Sequence, residues 1–203
     1  MRPLRAILIW AALAAAITIP LAVAVTSPLL QWRQPVYVAG GAAGVIAMIL
    51  VLAQLLLAGG YLPGLSAQRG RRVHRWTGFA LVVAVGVHVA GLWLTSPPDM
   101  IDALLFVSPT PSSAWGVIAM WALLAAALLA AFRHRLRIRP RTWRLGHTAL
   151  AVVAVTGSVV HALLIEGTMG TLSKALLCIL VIAATVKVVF DLRAWRLLSR
   201  PGA

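Results

Sequence analysis

The sequence predicts an all-α integral membrane protein, a bundle of six transmembrane helices that occupies residues 1–203 as a single domain. Apolar residues make up 62% of the chain and the mean hydropathy is +0.96. Charged residues make up 11%, against about a quarter in a soluble domain. The apolar residues form six stretches of about 20 residues, the length that crosses ~30 Å of hydrocarbon as a helix. The stretches cover 6–25, 36–58, 74–95, 113–132, 145–165 and 171–190.

Each stretch must be helical, because lipid offers no partner to a free backbone N–H or C=O group. The first stretch contains Pro20, which predicts a kink. A second interpretation of this stretch is a signal peptide cleaved near residues 22–24, although secretory apolar regions are usually shorter. The second stretch contains Gly40 and Gly44, a small-xxx-small pair that predicts close packing against a neighbouring helix.

The joints between the stretches carry residues typical of helix ends and membrane interfaces. Proline, which lacks the N–H that continues a helix, recurs there: Pro28, Pro35, Pro63, Pro97, Pro98, Pro109, Pro111 and Pro140. Tryptophans near the stretch ends fit an aromatic belt: Trp32, Trp76, Trp93, Trp115, Trp143 and Trp195. The one cysteine, Cys178, lies inside the sixth stretch and is interpreted as a packing residue.

The basic residues predict the orientation of the bundle. The net charge is +14, but these residues lie in the gaps between apolar stretches, as in membrane proteins, which argues against nucleic acid as a partner. Alternate gaps and both termini hold most arginines: Arg2, Arg5, Arg69, Arg71, Arg72, Arg75, Arg133, Arg135, Arg137, Arg139, Arg141, Arg144, Arg193, Arg196 and Arg200. The opposite gaps hold Arg33, Lys174, Asp99, Asp102 and Glu166. The positive-inside rule then predicts that both termini lie in the cytoplasm. The chain would be a multi-pass protein of the cell membrane, which in a bacterium is the inner membrane.

Four of the five histidines fall on two stretches only. His74 and His88 lie on the third stretch, and His147 and His161 on the fifth, with a separation of 14 residues in both cases. Fourteen steps of ~100° end about 40° short of four turns, so both rings share a helix face, ~21 Å apart along the axis. The third and fifth helices run in the same direction, so His74 lies level with His147, and His88 level with His161.

Two facing imidazoles can bind one haem iron from both sides, and two such pairs predict an electron-transfer path through two b haems. The iron would have no site left for a substrate, which favours electron transfer as its role. Propionates of the inner haem would find cationic partners in Arg72, Arg75 and Arg144. Zinc fits poorly, because the pairs lie too far apart for one four-ligand site. The competing interpretations are other metal or proton chemistry, and histidines that only pack between helices.

These residues resemble a known family. The segment 72–78 (RVHRWTG), continuing to His88, resembles the third helix of the ferric reductase-like transmembrane domain. The segment 143–147 (WRLGH), continuing to His161, resembles its fifth helix. The family includes yeast ferric reductases, NADPH oxidases, plant ferric-chelate reductases and bacterial YedZ/MsrQ haem subunits, and the resemblance covers roughly residues 36–190. It implies that His74 and His147 bind an inner b haem, and His88 and His161 an outer one, with electrons moving outward one at a time.

Full-length eukaryotic members of the family continue into a flavin and NADPH module, whereas this sequence shows no Gly-rich dinucleotide fingerprint. We therefore expect no flavin or NAD(P)H site in the chain, and a separate cytoplasmic flavoprotein reductase or membrane quinol as donor. The basic segments 59–75 and 133–144 would form a docking surface for an acidic partner protein. The alternative is that their charges only determine the membrane topology and bind anionic lipid. The electron acceptor on the outer side could be ferric iron, a quinone, dioxygen or a periplasmic protein. The outer loop 95–112 is predicted to include a short amphipathic helix.

The sequence predicts an oxidoreductase subunit that needs a separate donor partner, and it leaves two alternatives open. One is a quinol-linked cytochrome b subunit of a membrane or periplasmic oxidoreductase, with the same haems and a different donor. The other is a haem-free transporter or metal-binding membrane protein whose histidines relay protons or hold a metal. The absence of acids within the apolar stretches argues against the second.

Overall fold

A computed structural model describes residues 3–165, 167 and 170–192, apart from the side chain of Leu29. These residues form seven α-helices and one 3-10 turn, with no strand among them. The helices are α1 (Pro3–Val25), α2 (Pro35–Ala58), α3 (Ala67–Thr95), α4 (Pro97–Leu104), α5 (Pro111–Phe132), α6 (Pro140–Leu164) and α7 (Thr171–Asp191). The residues from the orientation analysis that lie outside the described ranges are Arg2, Glu166, Arg193, Arg196 and Arg200.

Six of these helices are long and apolar enough to cross a membrane, which confirms the prediction of an all-α, multi-pass membrane protein. They are α1, α2, α3, α5, α6 and α7. The third and fifth predicted membrane helices are therefore α3 and α6. The remaining helix, α4, lies in the outer loop 95–112, where a short amphipathic helix was expected.

Two helices begin five or more residues earlier than the apolar stretches predict. Helix α3 begins at Ala67 instead of 74, where the Ser66 side chain accepts a hydrogen bond from the Arg69 N–H. Helix α6 begins at Pro140 instead of 145, with proline in the first turn. Both additional segments are rich in arginine, because hydropathy detects the part of a helix inside lipid and not the turns that continue beyond it.

The helices associate as two antiparallel hairpins joined by α7. Helix α2 packs along α3, and α5 packs along α6. Helix α7 packs against both α2 and α6, and α1 packs against α2 and α7. The most deeply buried side chains, Leu177, Cys178 and Val181, lie where α7 enters this core. The histidine-bearing helices α3 and α6 are thus each supported by a hairpin partner.

Glycine residues allow the backbones of α2 and α3 to come into direct contact in the first hairpin. A methyl group added at Gly91 would stand 2.9 Å from the Cα of Gly40 and 3.2 Å from the carbonyl oxygen of Val36. Both neighbours are backbone atoms, so neither can yield by changing rotamer. The close packing expected of Gly40 is therefore present, and its partner is Gly91 on α3.

A polar cluster connects the loop before α3 to the end of α7. The Tyr61 hydroxyl donates to Asp191 Oδ2 at 2.6 Å, and Lys187 Nζ lies 2.9 Å from the same oxygen. Burial and the adjacent Asp191 carboxylate raise the pKa of Tyr61 to about 12. The cluster lies at the basic end of the bundle, which we define as the loops 59–66 and 133–139 with the adjoining helix turns.

Replacing Tyr61 with phenylalanine is expected to lower the free energy of unfolding by about 1 kcal/mol, since the hydrogen bond from a partly buried phenol to a carboxylate is lost. The phenol has a higher pKa in the folded chain than its ordinary value of about 10. Its contribution is therefore complete below about pH 10 and is lost as the pH rises through about 12. Unfolding in detergent would be compared for both proteins below pH 10 and near pH 12. A difference that stayed constant across this interval would contradict the expectation.

Candidate functional site

The four histidines predicted from their spacing lie as two pairs on α3 and α6. The ring centroids of His88 and His161 are 6.4 Å apart, and their planes are inclined at 75°. His74 and His147 lie 14 residues earlier on the same two helices, nearer the basic end. Since α3 and α6 are the third and fifth of six alternating membrane-spanning helices, they run in the same direction, and His74 lies level with His147. We call His74 with His147 the inner pair, and His88 with His161 the outer pair.

Main-chain carbonyls hold both rings of the outer pair. Nδ1 of His88 is 2.8 Å from the carbonyl oxygen of Gly40 on α2, and Nδ1 of His161 is 2.8 Å from that of Ser112 on α5. A carbonyl can only accept, so the proton of each neutral ring lies on Nδ1. The lone pair of each ring is then on Nε2, the nitrogen left to act as a metal ligand.

The inner pair is held less completely. His147 Nδ1 is 3.3 Å from the carbonyl oxygen of Ala126, a longer bond than either in the outer pair. The ring of His147 stacks on the indole of Trp143, with centroids 5.6 Å apart and planes inclined at 16°. The Arg133 guanidinium lies over the same indole, 4.6 Å from its centre. Trp143, which its position assigned to an aromatic belt, therefore packs against a candidate ligand.

Two buried nitrogen atoms at the inner pair lack a hydrogen-bond partner within the described part of the chain. They are Nδ1 of His74 and Nε1 of Trp143. An unsatisfied buried N–H is costly, and native proteins rarely leave one without a partner. The indole N–H can only donate, so it marks a place where a bound group with an acceptor oxygen would be stabilised.

Gln54 on α2 is a site residue that the sequence analysis missed. Its side-chain Nε2 donates to the carbonyl oxygen of His74 at 3.0 Å and to the Thr77 hydroxyl. These bonds fix the backbone of α3 against α2 at the level of the inner pair. The available signal was the amide itself, since a polar side chain within an apolar membrane stretch requires a hydrogen-bond partner.

The arginines expected beside the inner haem are exposed at the basic end. Arg72 and Arg75 lie on α3 and Arg144 on α6, one to three residues from His74 or His147. The fifth histidine, His134, is exposed in the loop before α6 and accepts a hydrogen bond from Arg133 Nε at 3.0 Å. It is separate from both pairs, as its position among arginines predicted.

A comparison with known protein families identifies the family of the chain. A family model described as ferric reductase like transmembrane component matches residues 43–158, more than half of the chain. The chain belongs to the ferric reductase-like transmembrane family. No similar curated protein and no similar solved structure was found. The matched segment contains His74, His88 and His147 and ends three residues before His161.

Membership in the ferric reductase-like family confirms the family resemblance and indicates a membrane electron-transfer protein. Ferric reductase-like domains are redox-active and often work with partner redox proteins. Among residues 3–165, 167 and 170–192, no three His, Cys, Asp or Glu side chains converge on one point. The arrangement thus offers pairs of imidazoles and no site of three or more ligands within these ranges.

The two hairpins of this ferric reductase-like chain carry a sequence repeat that the sequence analysis also missed. The pentapeptide Gly-Val-Ile-Ala-Met occurs at 44–48 on α2 and again at 116–120 on α5. The carbonyls that bind the outer histidines precede these two segments by one helical turn, at Gly40 and Ser112. The duplicated pentapeptide was therefore the signal for the carbonyl partners.

Proposed function

We propose that the chain is a dihaem b-type transmembrane electron-transfer protein of the ferric reductase-like family. It would take electrons from a donor at the basic end and pass them to an acceptor at the opposite end. The observation that carries the proposal is the outer pair, in which two imidazoles from different helices face each other with both Nδ1 atoms bound to carbonyls.

The spacing of the outer rings suits one iron between them. Two metal–nitrogen bonds of about 2 Å, with the radius of each ring added, bring the centroids to roughly 6 Å apart. The observed centroid distance is 6.4 Å. When bound, each haem would supply an iron that alternates between ferric and ferrous states and carries one electron. Imidazoles on both faces of the iron would leave no coordination position for a substrate. Such an iron is suited to electron transfer and not to binding or activating a substrate.

Residues beside the inner pair would provide hydrogen-bond and charge partners for the propionates of a haem. The indole N–H of Trp143, which has no partner in the part of the chain that the structure describes, would donate to a propionate carboxylate, a strong acceptor. Arg72, Arg75 and Arg144 are exposed one to three residues from the inner histidines, where long cationic side chains would reach the same carboxylates. His74 and His147 would bind the iron, with the bond from Gln54 to the His74 backbone fixing one ligand helix.

Charge and topology suggest the direction of transfer. The described arginines lie mainly at the basic end, on α3, α6 and the loop between α5 and α6. The positive-inside rule makes this end cytoplasmic, with both termini there, in a bacterial inner membrane. A flavoprotein reductase with an acidic surface would dock on this end, and the outer acceptor would be ferric iron, a quinone, dioxygen or a periplasmic protein.

A second candidate is a quinol-linked cytochrome b subunit. One observation favours it: Nδ1 of His74 and Nε1 of Trp143 are buried and have no hydrogen-bond partner among the described residues, and each suits an oxygen of a quinol head group. The histidine pairs would bind the same two haems in this case. Only the source of the electrons would differ.

Reconstitution of the full chain into lipid vesicles tests the proposal and separates the two donors. We expect about two haem b per chain and reduction of a membrane-impermeant ferric chelate outside vesicles that contain a flavin reductase with NADH. Electron transfer with quinol and not with the reductase would favour the second candidate. A chain purified without haem from cells with ample haem would contradict both and favour a haem-free role.

A further inference from the structure

Each outer histidine contacts two points on the neighbouring helix of its hairpin. For His88 the first is the carbonyl oxygen of Gly40, 2.8 Å from Nδ1. The second is Gly44, one turn later, where an added methyl group would stand 3.0 Å from Nδ1 and 3.1 Å from Cε1. The ring edge that binds the carbonyl thus lies directly against the glycine.

The second hairpin repeats this contact around His161. The carbonyl oxygen of Ser112 is 2.8 Å from Nδ1, and an added methyl group at Gly116 would stand 2.8 Å from Nδ1 and 3.0 Å from Cε1. Gly44 and Gly116 are the first residues of the two repeated pentapeptides. The same four-residue step from carbonyl to glycine therefore occurs twice, with the same role.

The inner pair lacks this arrangement at the equivalent positions. Fourteen residues after Gly40 and Ser112 come Gln54 and Ala126, and one turn later the glycines are replaced by Ala58 and Ala130. The carbonyl of Ala126 lies 3.3 Å from His147 Nδ1, and His74 Nδ1 has no partner within the described ranges. Where alanine replaces the glycine, the histidine Nδ1 therefore has either a longer hydrogen bond to its carbonyl or no partner among the described residues.

We infer that Gly44 and Gly116 are positioning residues for the outer pair. Each leaves room for the ring edge to reach its carbonyl, which fixes the proton on Nδ1, the plane of the ring and the direction of Nε2. A side chain at Gly116 would displace the imidazole of His161, because a distance of 2.8 Å to a ring atom requires movement. One at Gly44 would stand 3.0 Å from the ring of His88, which would have to move by a few tenths of an ångström. The inference rests on the proposed function, since it assigns these glycines to the ligands of the outer haem.

The test uses the full chain with Gly116→Ala, Gly44→Ala and the control Gly86→Ala. Gly86 lies two residues before His88, on the opposite face of α3, and an added methyl group there meets no atom within 4 Å. The readouts are haem per chain and the EPR signal of the low-spin ferric state, which depends on the angle between the axial ring planes. We expect Gly116→Ala to weaken haem binding at the outer pair by about 10- to 100-fold, with haem content falling toward one per chain. Gly44→Ala should have a smaller effect in the same direction, and Gly86→Ala should have none.

The outcomes separate the two proposals. A wild-type chain without haem would overturn the proposed function, and with it this inference. Two haems and an unchanged EPR signal in both Gly116→Ala and Gly44→Ala would overturn the inference alone. Circular dichroism and gel filtration would report folding, and if Gly116→Ala did not fold, the more tolerant Gly44→Ala would decide, since its methyl group stands 3.0 Å from the ring instead of 2.8 Å.

Discussion

Replacing His88 with alanine is expected to reduce the haem content from about two per chain to about one. The outer iron would keep only the imidazole of His161 as a ligand. The missing ring is the one that the Gly40 carbonyl orients through Nδ1. The inner pair lies 14 residues away along both helices and keeps both rings. A pyridine haemochrome assay on purified protein, normalised to chain concentration, would measure the change.

His134→Ala is the matched control for this substitution, because His134 is exposed and bonded only to Arg133 in the described structure. It should retain about two haems. His161→Ala should match His88→Ala, since both rings belong to the same pair. Two haems in the His88→Ala protein would exclude His88 as a ligand and would refute the assignment of the outer pair.

The second large effect is expected from Gly91→Ala. The added methyl group would stand 2.9 Å from the Cα of Gly40, so α2 and α3 would have to separate. Overpacking of this kind costs about 1–3 kcal/mol. The separation would also move the Gly40 carbonyl away from His88, so we expect both a lower unfolding temperature and partial loss of the outer haem.

Thermal unfolding in detergent and haem content would be compared with Gly86→Ala, which makes the same change on the same helix in open space. Gly86→Ala should match the wild type or exceed it slightly, because alanine is the better helix former. If Gly91→Ala unfolded at the wild-type temperature, the backbone contact between α2 and α3 would not be as close as described.

The helices could be predicted because apolar length is itself the physical requirement for crossing lipid. The first turns of α3 and α6 could not, since Arg69, Arg71 and Arg141 lie beyond the hydrocarbon where hydropathy carries no signal. For those turns the informative residues were the Ser66 cap and Pro140. The sequence thus indicates which residues lie in the membrane more reliably than where each helix begins.

The histidine pairs could be predicted because a 14-residue step has a fixed meaning on any α-helix. Their partners could not be predicted from residue types, since Gly40, Ser112 and Ala126 act through main-chain carbonyls that every residue possesses. The stacking of Trp143 on His147 also depends on packing, which the position near a helix end did not reveal.

The division of each pair between two hairpins has a consequence for how the protein is made. A translating ribosome releases α2 and α3 well before α5 and α6, and 73 residues separate His88 from His161. The nascent chain therefore enters the bilayer with His74 and His88 on one hairpin and no imidazole opposite them. On the proposed function, haem would be held between the pairs only after the second hairpin had been inserted, and it would then join two hairpins that entered the bilayer at different times.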